Sequence, residues 1–176
     1  MNTRLINSKR GFTLVEVLIA MAIMAILAGG VATTIYQIFA INAQSNNAML
    51  VIRQVQTLGQ WLNKDVQMAQ VTDPGDTDGF PLILEWDYRD FSDGSYTGQA
   101  HTITYTYDSA TGIIERENTL YSSTPDDDTI VSTTTITVAE YIDTVTFTGN
   151  TLEVTASKDG QSETRNYEIN NRVTQS

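Results

Sequence analysis

This chain of 176 residues predicts an α+β fold: one long helix, then an antiparallel sheet. Three observations carry that reading. Residues 12–41 form an apolar run of thirty residues in which Glu16 is the only charged side chain. Residues 42–71 stay helical in pattern but turn amphipathic. Beyond residue 72, apolar and polar residues alternate in short runs separated by Gly, Pro and Asp, as in half-buried strands. A helical period followed by a strand period, without interleaving, segregates α from β.

Residues 1–11 are a polar, basic leader holding Arg4, Lys9 and Arg10 and no acid, and are set apart from the fold. Crossing a bilayer core takes roughly 20 apolar residues in a helix, so residues 12–41 are long enough to span. The run exceeds the apolar region of an ordinary secretory signal, and no A-x-A site ends it. The basic leader favours a cytoplasmic N-terminus, which places everything after the helix outside the cytoplasm. Gly29-Gly30 and Thr33-Thr34 sit mid-run. Two readings of the glycines stay open: a weak point worth about 1 kcal/mol per glycine relative to alanine, or close packing against another helix.

An acid inside a spanning helix costs about 2–3 kcal/mol or more and is usually functional. The plain alternative is a signal anchor with a stray glutamate. The residues Gly11-Phe12-Thr13-Leu14-Val15-Glu16, preceded by Lys9-Arg10, resemble the prepilin cleavage and methylation motif of type IV pilins and type II secretion pseudopilins. The resemblance covers about the first thirty residues. It implies a pilin-like fold, cleavage by a prepilin peptidase between Gly11 and Phe12, N-methylation of Phe12, and use of Glu16 in subunit assembly. Those roles have a physical rationale. Cleavage creates an amine on Phe12 at the edge of the apolar run, and Glu16 lies one turn deeper on the same helix face. A carboxylate there seeks a cation or takes up a proton. The Phe12 amine of a neighbouring subunit supplies the cation.

Past residue 41, Val51, Val55, Leu58, Leu62, Val66 and Ala69 recur at intervals of three and four, with Gln54, Gln56, Gln60, Asn63 and Lys64 opposite. One helix is therefore expected over residues 12–70, stopped by a turn at Asp73-Pro74-Gly75. Leu82, Leu84, Trp86 and Tyr88 alternate with Ile83, Glu85 and Asp87 as a strand, followed by a loop over residues 90–99. Ile103, Tyr105 and Tyr107 alternate with threonines, and residues 113–118 return as a hairpin partner. Residues 125–128 form a loop and residues 130–138 a threonine-rich strand. Strands around Val145 and Phe147 and over residues 152–156 flank a Gly149-Asn150 turn. Lys158-Asp159-Gly160 turns again into a last strand holding Tyr167 and Ile169. The stripe on residues 51–69 is the expected cover for the sheet.

The chain carries 21 acids against 10 lysines and arginines. Removal of the leader leaves 7 bases and a formal charge of −14, which argues against direct binding of nucleic acid. There is no cysteine, so an exported domain must rely on its core or a metal. Many type IV pilins close a C-terminal loop with a cysteine pair, so this absence fits pseudopilins and Gram-positive pilins better. Oxygen-rich loops suit calcium. Asp73, Asp76 and Asp78, with Asp126, Asp127 and Asp128, are the candidate ligands, weighed against solvated loop acids; the twelve-residue calcium-loop pattern is absent. No other cofactor is expected. His101 is the only histidine and no G-x-S-x-G motif accompanies it, so no catalytic site is expected. Trp61 and Trp86 read as core.

The resemblance therefore implies a structural, non-enzymatic filament subunit of the cytoplasmic membrane. Its partners would be the prepilin peptidase, other pilins or pseudopilins and the inner-membrane assembly platform. Within the family the chain is most similar to a J-type minor pseudopilin. The hairpin over residues 101–118, ending in Ile114-Glu115-Arg116-Glu117, and the strand near Val145-Thr146-Phe147 carry that similarity. The K-type subunit typically lacks the acid present here as Glu16, and the globular part is too small for K-type insertions. A J-type subunit would meet I- and K-type subunits at the filament tip. The alternatives are a minor type IV or competence pilin, or a calcium- or ligand-binding surface domain on a plain signal anchor.

Overall fold

The computed structural model describes residues 11–76, 78–87, 100–122 and 129–170. The chain divides into two compact units, Met1–Ala43 and Gln44–Ser176. Helix α1, Leu14–Met68, supplies the described secondary structure of the first unit and the first element of the second.

In the first unit every described side chain is exposed, including Leu18, Ile19, Ile26 and Leu27. This helix is long and apolar enough to cross a membrane. Hydrocarbon is the surrounding in which such a surface is stable. The helix passes unbroken through Gly29-Gly30, where Thr33 and Thr34 donate their hydroxyls to the Gly29 and Gly30 carbonyls at 2.9 and 3.0 Å. Such back-bonding is the ordinary way an interior threonine satisfies its hydroxyl in a helix.

In the second unit, Val51, Val55, Leu58, Leu62, Val66 and Ala69 are all buried, as the stripe requires. They pack with Leu82, Leu84, Ile103, Tyr105 and Ile114 from one sheet and Val145, Leu152, Val154 and Ala156 from another in one core. Burial of each Leu or Val contributes about 1.5–3 kcal/mol.

Eight strands follow the helix. β1 (Val71–Gly75), β2 (Gly79–Asp87), β3 (Ala100–Asp108), β4 (Ile113–Tyr121) and β5 (Ile130–Ala139) form a five-stranded sheet in that order. β6 (Ile142–Thr148), β7 (Thr151–Lys158) and β8 (Gln161–Glu168) form a three-stranded one. All neighbouring strands are antiparallel. The expected strands and the Gly149-Asn150 turn are present, except that β8 ends at Glu168 and leaves Ile169 just beyond it, while the expected loops at 90–99 and 125–128, and Tyr88, fall outside the described residues.

Two expectations are corrected. Asp73-Pro74-Gly75 is not a turn that stops the helix: it belongs to β1, which pairs with β2 from Val71↔Glu85 to Gly75↔Gly79. α1 ends earlier, at Met68, and the Gln70 N–H already donates to the Glu85 carbonyl at 2.8 Å. Proline is tolerated there because β1 is an edge strand, where a missing N–H need not break a ladder. The register shifts between Pro74 and Gly75.

The second correction is that two sheets replace one. The break falls between β5 and β6, where Tyr141 takes a left-handed conformation at φ 61°. That backbone state turns the chain out of the first sheet. The Glu140 N–H then donates to Gln54 Oε1 at 3.0 Å and the Ile142 N–H to the Gly112 carbonyl at 2.9 Å. Gly112 has φ +68°, and a Cβ there would lie 2.7 Å from the Ile142 oxygen, so glycine is required on both counts.

Candidate functional site

The N-terminal motif opens α1. Thr13 precedes the first helical residue, and its side chain closes the first turn. The Thr13 N–H donates to Glu16 Oε2 at 3.4 Å, and the Glu16 N–H donates to Thr13 Oγ1 at 3.3 Å. This is a capping box, in which Thr and Glu three residues apart each satisfy the other's orphan N–H. Thr13 was not singled out from the sequence, although Thr-x-x-Glu ahead of an apolar run is the signature of such a cap. It also accounts for the helix starting at Leu14 rather than Phe12.

Around this cap the motif residues are open. Phe12 is 81% exposed, and Gly11 has nothing within 4 Å of where a side chain would begin. Phe12, Glu16, Ala20 and Met24, spaced four apart, line one concave strip with Val17 and Met21. The Glu16 carboxylate accepts only the long Thr13 bond among the described hydrogen bonds of this turn. It keeps lone pairs for a donor from outside the subunit.

A second acid of α1 lies in the other unit and is placed very differently. Asp65 is fully enclosed. Arg116 donates from Nε to Asp65 Oδ2 at 2.6 Å and from Nη2 to Oδ1 at 3.1 Å. The Tyr105 hydroxyl donates to the same Oδ2 at 2.6 Å. Tyr105 and Arg116 are cross-strand partners on β3 and β4, so one pair of positions on the sheet clamps the helix. The Arg116 guanidinium also lies 4.8 Å from the centre of the Trp61 ring, a cation–π contact.

Burial, reinforced by the Asp65 charge and its hydrogen bond, pushes the Tyr105 phenol well above its ordinary range. Burial alone would lower Arg116, but the hydrogen bond and charge of Asp65 outweigh it and raise it. Asp65, Arg116 and Tyr105 thus form an enclosed cluster in which the carboxylate faces one guanidinium and one phenol.

A second tie fastens β8 to the helix. The Tyr167 hydroxyl donates to the Val55 carbonyl in a short hydrogen bond. A side chain on Gly59 would overlap the Tyr167 ring, so this contact needs glycine on the helix. Burial pushes the Tyr167 phenol up to about 12, with Arg165 opposing and Glu163 adding to the rise.

The remaining sequence candidates are dispersed. Asp73 sits in β1 and Asp76 and Asp78 in the turn after it, all exposed. Asp126, Asp127 and Asp128 lie outside the described residues. Among the described residues no three potential metal-ligating side chains come together. Trp86 is buried and Trp61 partly so, both against the core as expected. His101 stacks on Trp86 with ring centres 5.0 Å apart, and its Nδ1 lies 3.1 Å from Asn118 Oδ1.

Comparison of the chain with curated proteins and with solved structures found no match. Residues 6–32 match the family described as the prokaryotic N-terminal methylation motif. That motif implies processing by a prepilin peptidase and assembly with other pilins, and its families are structural rather than enzymatic. One long N-terminal helix, whose second half packs on antiparallel sheets and whose first half is long and apolar enough to cross a membrane, together with this motif supports a membrane-anchored, type IV pilin-like structural subunit.

Proposed function

We propose that this chain is a minor subunit of a type II secretion pseudopilus or a related type IV filament, placed at the tip with I- and K-type partners. Prepilin peptidase cuts between Gly11 and Phe12 on the cytoplasmic side, and Phe12 is N-methylated. The subunit waits as a single-pass protein of the cytoplasmic membrane and is drawn into the filament. Glu16 then pairs with the Phe12 amine of an adjacent subunit.

One observation carries this reading. The only charge in residues 12–41 stands within the matched motif, one turn from the nitrogen that cleavage would turn into a cation. The Thr13 cap holds that carboxylate at the helix end through a long, weak bond. A full cation is the stronger donor. In a medium of low dielectric, an unmatched acid is costly and a matched one sets register.

Two measurements test it. The intact mass of the chain from a native host should correspond to an N-methylated start at Phe12; a chain retaining residues 1–11 overturns the processing. Glu16→Ala and Glu16→Gln should insert and be cleaved, yet crosslink poorly to filament partners. Normal incorporation of both processed variants removes the pairing mechanism.

A further inference from the structure

The outer strands of the two sheets differ in how they are protected. β1 is five residues long and carries Asp73, Pro74 and a register shift. β6 carries Asp143, and β8 carries Glu163, Arg165 and Glu168. Charges, prolines and short length are the usual means of keeping an exposed edge from pairing with another chain. β5 lacks them: in ten residues, Ile130–Ala139, it has no charge, no proline and no glycine. Eight of those ten are Ile, Val or Thr, the β-branched residues that favour extended chain.

β5 pairs with β4 on one side, and among the described residues no strand lies on the other. Its pairing with β4 is regular from Ser132↔Leu120 to Thr137↔Glu115, between register shifts at either end. Residues 130–135 are exposed whichever face of the sheet they point to, with Ile130 at 58% and Val131 at 62%.

The surroundings indicate what this edge accepts. Glu115 and Glu117 on β4 stand exposed opposite Thr137 and Thr135, and Glu140 is exposed just beyond the strand. The one base of β4, Arg116, points inward and is held by Asp65. A second copy would gather these acids of two chains, each of net charge −11, on one continuous sheet whose described residues offer no outward base to match them. Accumulated like charge opposes such pairing.

We infer that residues 132–137 are a docking edge for an extended strand of a different protein chain, one carrying Lys or Arg at alternate positions. The strand adds to the sheet through main-chain hydrogen bonds, and its basic side chains lie along the face that holds Glu115 and Glu117.

The test uses the full chain in native-host membranes, with a photo-crosslinking residue placed singly at Thr133 or Thr134 and, as an edge control, at Thr164 on β8. Thr133 and Thr134 should both crosslink to one contiguous segment of another chain with Lys or Arg at every second residue; Thr164 should not. Thr135→Lys should cut the Thr133 yield roughly tenfold, as expected for losing about one favourable charged contact and gaining a repulsive one. Thr135→Glu should preserve or raise it. Thr135 is exposed, and a melt of each variant confirms folding. Crosslinks joining two copies of this chain, a target segment without basic residues, yields no greater than at Thr164, or equal effects of Lys and Glu each overturn the inference.

Discussion

Helix α1 contains two acids, Glu16 and Asp65, and they solve the same problem in opposite ways. Asp65 has no exposed surface and takes three hydrogen bonds of 2.6–3.1 Å from Tyr105 and Arg116. Glu16 is exposed and makes only local bonds of 3.3 and 3.4 Å within its own turn. Asp65 is complete within the folded chain. Glu16 retains capacity for a cation that the described chain does not supply. A carboxylate in a helix thus serves folding when the rest of the chain wraps around it. It serves assembly when the chain leaves it open.

The contrast is broken most sharply at Arg116. Arg116→Leu should strand the Asp65 carboxylate in the core and cost about 3–5 kcal/mol of unfolding free energy, read from urea denaturation. Adding Asp65→Leu should recover most of that loss, because an apolar pair of similar size needs no charge match. A single variant that loses less than about 1 kcal/mol would show that the enclosure does not depend on the ion pair.

A smaller effect sharpens the role of Tyr105. Tyr105→Phe removes one donor to a charged oxygen, a loss of about 1.5–3 kcal/mol. It should also change the alkaline limit of stability. Tyr105 and Tyr167 both have raised phenol pKa values, so the folded chain keeps protons that the unfolded chain releases. That contribution is whole below the unfolded value of 10.0 and is lost as pH rises toward about 12 for Tyr167 and beyond it for Tyr105. Melting temperature should therefore fall above pH 10 in the parent and less steeply in Tyr105→Phe. Equal slopes would detach Tyr105 from the alkaline transition.

The smallest effect is expected at the other acid. Glu16→Gln should change the unfolding of residues 44–176 by no more than about 0.5 kcal/mol, since Glu16 bonds only within the first turn of α1. Its consequence belongs to assembly. A large drop in the stability of residues 44–176 would erase the division of labour between the two acids.

Most of the architecture was readable because it is written in short-range periods. The apolar run of residues 12–41 and the stripe from Val51 to Ala69 announce a helix with two different surroundings. The alternations at Leu82, Leu84 and Trp86 and at Ile103 and Tyr105 announce strands. Gly11, Phe12 and Glu16 stand out for the same reason, because a motif of consecutive residues needs no tertiary contact to be seen. Even Thr13 was visible in principle, since a capping box spans only four positions.

Other features were decided by contacts between distant residues. Asp73-Pro74-Gly75 has the composition of a turn, yet pairing with β2 makes it an edge strand. One threonine-rich run does not reveal that the sheet ends at β5, because the break depends on the conformation of Tyr141 and on the Gly112 carbonyl reached by Ile142. Asp65 falls three residues after Leu62 and four before Ala69, so a polar residue on the buried stripe was legible as an oddity. Its partners were not: Arg116 is 51 positions away and Tyr105 is 40. Short-range periods in the residues settle α1, most of the strands and the N-terminal motif, because backbone geometry repeats every few residues, while β1 is settled only by its pairing with β2. Only the tertiary structure decided that Asp65 is matched inside the chain, because a charge is satisfied by whatever the fold brings within hydrogen-bond reach.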